Sequence, residues 1–257
     1  METLKRFHIN KIFWLLILIL FDNILNNCHK NKNNHKIVNF GIINSFTNFS
    51  KSSNHLSKIS SKSYWENRYR KGGNSGSGSY NHLAKFKASI LNSFVIKNHI
   101  NTIIEFGSGD CNQLSLANYK NYIGYDVSQT AIKICKKKFK NDKTKTFIHL
   151  NDNFKNNKKA DLSISLEVIF HLIEDEVFNS YMLNLFKSSK KYICIYSSNI
   201  NSPSARYVRH RKFTDWIDKY MSRNWKMIEF IPNKYPFNPK HRYNTSYSDF
   251  YFYEKTE

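Results

Sequence analysis

Ile104-Glu-Phe-Gly-Ser-Gly-Asp-Cys-Asn-Gln-Leu114 runs from a short apolar strand into two glycines and then a polar, helix-like segment. Gly107 and Gly109 permit a tight turn and let a ligand come close to the backbone. Glu105, at the strand end, is placed to orient the turn or accept from a nearby N–H. Asp126 follows Asp110 by 16 residues and closes the next apolar run, where its carboxylate can take both hydroxyls of a ribose. This layout suits a nucleotide-type ligand at the carboxyl edge of an open sheet. A dinucleotide fingerprint, G-x-G-x-x-G, fails here because its third glycine falls on Asn112.

Outward from this stretch, short apolar runs recur: 102–106, 120–125, 145–150, 161–166 and 191–196. Runs of this length suit parallel strands buried on both faces. Between them, residues 85–97, 112–118, 128–140 and 175–186 read as helices, with Ser128 as the N-cap of the third. Such alternation implies an α/β fold with right-handed crossovers. Two further strand-like runs, 225–231 and 248–253, lack a crossover helix between them and are expected to pair antiparallel.

The order Glu105-x-Gly107-x-Gly109 resembles motif I of class I S-adenosylmethionine-dependent methyltransferases. Gly124-Tyr-Asp-Val-Ser128 resembles motif II, Asn151-Asp152 lies where that family contacts adenine, and Ala160-Asp-Leu-Ser-Ile-Ser-Leu-Glu-Val-Ile-Phe-His171 resembles motif IV. The resemblance covers about residues 65 to 257. It implies a Rossmann-like, mostly parallel seven-stranded sheet with a C-terminal antiparallel hairpin, and S-adenosyl-L-methionine as cofactor. By position, Gly107 and Gly109 would line the methionine moiety with Glu105 behind them. Asp126, with Val127 beside it, would hold the ribose and Asp152 the adenine amino group. Leu166 and Glu167 would flank the transferred methyl. Cys111 stands where the family often has a third glycine, which implies slight crowding of the methionine end.

On the acceptor side, His171 is a candidate for taking a proton from an oxygen or nitrogen nucleophile. In Val208-Arg-His-Arg-Lys-Phe213, His210 is a second catalytic candidate, and Arg209 and Arg211 are candidates for binding a carboxylate or phosphate. No metal-ligand set is recognised. The glycine- and serine-rich stretch 72–79, just after Trp65-Glu-Asn-Arg-Tyr69, resembles the N-terminal lid of a bacterial subgroup of these enzymes. No N/D-P-P-Y motif and no Pro-Cys pair occur, which argues against amino methylation of adenine or glutamine and against the covalent route to C5-methylated pyrimidine. A small-molecule acceptor is expected, since no RNA-binding domain is appended. The alternatives are RNA, held on a basic face of Lys133, Lys136, Lys137, Lys138 and Lys140, and a catalytically silent binding protein. Oligomeric state is left open.

Composition bears on targeting more than on a partner. The 257 residues carry a formal charge of +21, with 40 Lys+Arg against 19 Asp+Glu, but 33 are Asn, the bias of AT-rich codons. Residues 1–63 hold nine Lys+Arg and two acids, a third of the excess. The apolar run from Ile12 to Phe21 has ten residues, about 15 Å of helix, half a bilayer core. With its basic flank it reads as a signal peptide (1–22), and the basic, Ser-rich segment 23–63 as a disordered transit-like leader. Together they resemble the bipartite leader of apicoplast-type plastid proteins, with secretion or an endomembrane lumen as the alternative. The domain is expected over 64–257, with no integral membrane span in the mature protein. Four scattered cysteines exclude a disulfide-dense scaffold.

Overall fold

The computed structural model describes residues 60–151, 157–202 and 207–256. All belong to one compact unit, Lys58–Glu257. The expectations for residues 1–59 and for Asp152 fall outside the described residues.

Seven strands form one sheet: β1 (Thr102–Phe106), β2 (Asn121–Asp126), β3 (Lys145–His149), β4 (Ala160–Leu166), β5 (Ser189–Ser197), β6 (Trp225–Ile231) and β7 (Asp249–Lys255). Their order is β3-β2-β1-β4-β5-β7-β6. The first five are parallel, whereas β7 runs antiparallel between β5 and β6. Strand order reverses between β1 and β4, the point at which open α/β sheets bind ligands beyond their carboxyl edge.

Alternation along β1 decides which helix lies on which face. Ile103 packs with helices α2 (Asn81–Lys97) and α3 (Gln129–Lys138), through Leu91, Phe94, Val95 and Ile132. Ile104 and Phe106 pack on the opposite face with α4 (Asp175–Lys187) and α5 (Phe213–Tyr220), through Phe178, Met182, Leu185 and Ile217. Leu91 is fully buried, so its replacement by alanine costs about 2–5 kcal/mol. In α2 the buried positions are 83, 84, 87, 88, 91, 94 and 95, one helical stripe on which Lys87 is the charged residue. Ser128 caps α3 as expected, its side chain accepting from Ala131 N–H.

Three features differ from the sequence reading. Residues 112–118 form a single 3-10 turn at Leu114–Leu116 instead of a helix. Cys111 has φ 59° just before it, and Asn92 accepts from Asn118 N–H just after, so the chain reverses before a helical turn can repeat. Helix α1 (Ser61–Arg70) was not foreseen: it buries only Ser61 and Tyr69, leaving no apolar stripe to read. Its N-cap is Ser60, so it begins three residues before Tyr64. Helix α5 rests on Phe213, Trp216 and Ile217, too short a pattern to declare itself. No helix among the described residues is long and apolar enough to cross a membrane.

Candidate functional site

At the carboxyl edge of β1 the chain turns through Gly107 (φ 90°) and Gly109 (φ 56°), conformations that glycine adopts without strain. A Cβ on Gly107 would strike the Val168 side chain, and one on Gly109 would strike Ser75, so both approaches also need the missing side chain. Glu105 lies buried beneath the turn and accepts from Tyr122 Oη at 2.5 Å. Burial raises its pKa to about 7, against the opposing pull of the Tyr122 hydrogen bond and the Lys87 charge.

Asp126 faces this turn from the end of β2. One carboxylate oxygen accepts from Gly109 N–H at 2.9 Å and the other from Ser128 N–H at 2.8 Å. Burial holds its pKa up at about 6 in spite of those bonds. Each carboxylate oxygen keeps a second acceptor position. Ser108 Oγ and Gln113 Oε1, both at the cavity wall, are buried without a hydrogen-bond partner. A set of two-oxygen acceptor, glycine turn and unused buried polar atoms fits a polar ligand with vicinal hydroxyls.

Helix α1 and the loop after it roof this edge. Glu66 accepts from Ser128 Oγ (2.6 Å), Thr130 Oγ1 (2.6 Å) and Thr130 N–H (3.2 Å). These bonds outweigh the effect of burial and hold its pKa down at about 2. Ser61 donates from N–H and Oγ to Glu174 at 3.1 and 2.8 Å. Asp110 accepts from Ser75 N–H and Tyr80 Oη at 2.9 and 2.7 Å, while its own N–H donates to Ser75 Oγ at 2.9 Å. The glycine- and serine-rich stretch is therefore bound to the glycine turn.

Glu167, just past β4, has φ 58° and pairs with the buried Lys87 at 2.9 Å; Ser246 Oγ donates to its other oxygen at 3.0 Å. A Cβ on Gly78 would run into the Glu167 carboxylate, so the roof closes against it only because residue 78 is glycine. His171 presents its ring edge-on to Trp65 at 4.9 Å, and its Nδ1 lies 3.2 Å from the Tyr207 carbonyl oxygen. A carbonyl only accepts, so Nδ1 carries the proton and Nε2 keeps a free lone pair. Burial lowers the His171 pKa, which keeps the ring neutral.

Together these groups line a partly open cavity of about 560 Å³. Its wall includes Glu105, Gly107, Gly109, Asp126, Val127, Leu166, Glu167 and His171, eight positions singled out from the sequence. His210, Arg209 and Arg211 are elsewhere. His210 Nδ1 bonds with Ser198 Oγ at 2.7 Å, and its ring meets Phe170 and Tyr247. Arg209 and Arg211 both pair with Asp175, at 3.1 and 2.6 Å, and donate to the Ile173 carbonyl. They tie the loop after β5 to the start of α4. Lys133, Lys136, Lys137, Lys138 and Lys140 are exposed on or just beyond α3, with Lys138 Nζ 3.3 Å from the Cys111 carbonyl oxygen.

Sequence reasoning did not identify Lys87, Glu66 or Asp110 as site residues. Lys87 carries a readable signal, a charge on an otherwise apolar helical stripe. Glu66 and Asp110 carry none, because their partners come from segments remote in sequence.

No protein-family profile and no curated protein sequence matches this chain. Solved structures do. Magnesium protoporphyrin IX methyltransferase from Synechocystis, with S-adenosylhomocysteine bound, superposes with a TM-score of 0.56 at 14% identity, over 76% of this chain and 98% of that one. The N-methyltransferase NodS from Bradyrhizobium japonicum, also with S-adenosylhomocysteine, gives 0.51 at 12% identity, over 68% and 88%. A putative RNA methyltransferase from Pyrococcus horikoshii gives 0.50 at 15% identity, over 66% and 82%. The chain has the fold of class I S-adenosylmethionine-dependent methyltransferases.

Proposed function

We propose that this chain is an S-adenosylmethionine-dependent methyltransferase whose acceptor is a small molecule with an oxygen or nitrogen nucleophile. The observation that carries this reading is Asp126. Its buried carboxylate is held by the Gly109 and Ser128 amides, beside the glycine turn, on a fold shared with proteins that bind S-adenosylhomocysteine. When bound, the cofactor supplies an electrophilic methyl on a sulfonium. Asp126 would take the ribose hydroxyls, and Ser108 Oγ is an unused donor for the amino-acid end. Glu167 with Lys87, and Leu166, form the wall where the acceptor meets the methyl. His171 Nε2 accepts the proton that the acceptor nucleophile gives up, which contributes about 10²–10⁴ in rate. The roof would serve to fix alignment, a main demand of a displacement on a good electrophile.

The size of the site supports a small-molecule acceptor. A roofed cavity of about 560 Å³ has the dimensions of a small-ligand site. The exposed lysines on and beyond α3 support the RNA reading less, since Lys138 is already drawn to the glycine turn. Calorimetry with S-adenosylhomocysteine tests cofactor binding, and Asp126→Asn must abolish or strongly weaken it. Screening pools of metabolites and RNA with labelled cofactor then identifies the acceptor. Label transferred only to RNA overturns the small-molecule reading, and binding without any transfer marks a silent relative. Delivery to a plastid-type organelle through the secretory route belongs to the same proposal. Its support is the composition of residues 1–63, and a fusion of that segment to a fluorescent protein tests it.

A further inference from the structure

Cys111 and Cys135 are joined by a disulfide that spans 24 residues of sequence. The two half-cystines belong to the two segments that grip Asp126. Cys111 ends the glycine turn, whose Gly109 N–H donates to one Asp126 oxygen; Cys135 lies on α3, which starts at Ser128, the donor to the other. The bridge therefore closes a ring around Asp126, made of one covalent bond and two hydrogen bonds. Both cysteines are fully buried. Cys111 has φ 59°, a backbone state that favours glycine, so the turn's shape at this residue is held by its surroundings, the cross-link among them. Cys135 Sγ also lies 3.2 Å from the Gly109 carbonyl oxygen. After reduction, that oxygen is the natural acceptor for the new S–H, on the same residue whose amide holds Asp126.

We infer that the Cys111–Cys135 cystine is a redox-sensitive positioning element of the ligand cradle, whose oxidised form binds the nucleoside cofactor more tightly than its reduced form. The inference rests on the cofactor reading of the site given above. In the reductive step a dithiol donates two electrons and two protons. The Cys111–Cys135 bond breaks, two thiols form, and the dithiol closes to its own disulfide. Reduction releases the glycine turn from α3, so the spacing of Gly109 and Ser128 about Asp126 is no longer fixed covalently. Linkage then requires reciprocity: if oxidation tightens binding by a given factor, bound ligand resists reduction of the cystine by that same factor.

The experiment uses the purified chain and S-adenosylhomocysteine. Alkylation under denaturing conditions, read by intact mass, counts free thiols before and after dithiothreitol; two additional alkylated cysteines report the bond. Calorimetry on both forms is expected to show about ten-fold weaker binding after reduction. A redox titration with saturating ligand is expected to shift the midpoint negative by about 30 mV, the equivalent of ten-fold for a two-electron couple. Cys135→Ser is expected to match the reduced protein and to ignore dithiothreitol, while Cys194→Ser still responds. Should Cys135→Ser fail to fold, the affinity and midpoint of the unaltered protein carry the test alone. Equal affinity of verified oxidised and reduced forms overturns the inference, as does absence of the bond in solution. Failure of both forms to bind overturns the cofactor reading instead.

Discussion

The most diagnostic perturbation is a change of pH across the Asp126 titration. Its carboxyl is raised from 3.8 to about 6 by burial, while each oxygen already accepts one backbone N–H. Ligand hydroxyls donate to it, so the ionised form is the binding form. At pH 8 that form dominates. At pH 5, one unit below the folded pKa, about one molecule in eleven is ionised, which weakens binding about ten-fold, or 1.4 kcal/mol. Ligand-free stability moves the opposite way. A carboxyl with a raised folded pKa favours the folded state most below its unfolded pKa, and that advantage is lost as pH rises through the folded value. Asp126, and Glu105 at about 7, therefore make the free protein more stable between pH 7 and about 4.5 while ligand affinity declines. Calorimetry with S-adenosylhomocysteine from pH 5 to 8, beside thermal denaturation of the free protein, reads both trends. Asp126→Asn should cost about 3 kcal/mol of binding, two charge-assisted hydrogen bonds discounted for compensation, and should flatten the pH profile apart from what Glu105 contributes. An affinity that stays constant from pH 5 to 8 in the folded protein would refute the assignment of Asp126.

Three further perturbations separate roof, wall and chemistry. His171→Asn should leave S-adenosylhomocysteine affinity unchanged and lower label transfer about 10²-fold or more, as loss of a proton acceptor does; an equal loss of binding would make His171 structural. Gly78→Val drives a side chain into the Glu167 carboxylate and should weaken ligand binding about ten-fold, the lower range of an overpacking cost, with faster hydrogen exchange over residues 72–79. Glu66→Gln removes the charge from the latch between α1 and α3, so proteolysis within residues 61–70 should accelerate while the melting transition keeps its cooperativity. Because the Glu66 pKa is depressed to about 2, its contribution is full above 4.5 and is lost only as pH falls through about 2. The unaltered latch is thus insensitive to pH between 8 and 5.

The core of this fold was legible because its strands are buried on both faces and separate cleanly from polar helices. Thr102–Phe106 and Trp225–Ile231 fall on the residues the apolar runs mark. The hairpin of β6 and β7 was legible from a connection too poor in helix signal to cross the sheet. The glycine turn and Asp126 were readable since both lie at strand ends, where chain direction fixes the position of the side chain. Helix α1 was not readable, because it is held by polar latches at Ser61 and Glu66 rather than by an apolar stripe. Arg209 and Arg211 show the converse: a basic run in a loop after a strand looks like an anion site, but Asp175, far away in sequence, takes both charges. The partnership of Cys111 and Cys135 depends on which side of the turn α3 packs, which spacing alone does not give.

The Ser60 cap and the Ser61–Glu174 latch fix how much of the N-terminal side the roof needs. An endopeptidase that cut the chain at Tyr64 would strip the first turn of α1, free the Glu174 carboxylate and open one end of the roof. A cut before Ser60 keeps the Ser60 cap and both Ser61–Glu174 hydrogen bonds. The position of a single proteolytic cut thus decides whether that end of the roof stays latched or comes loose.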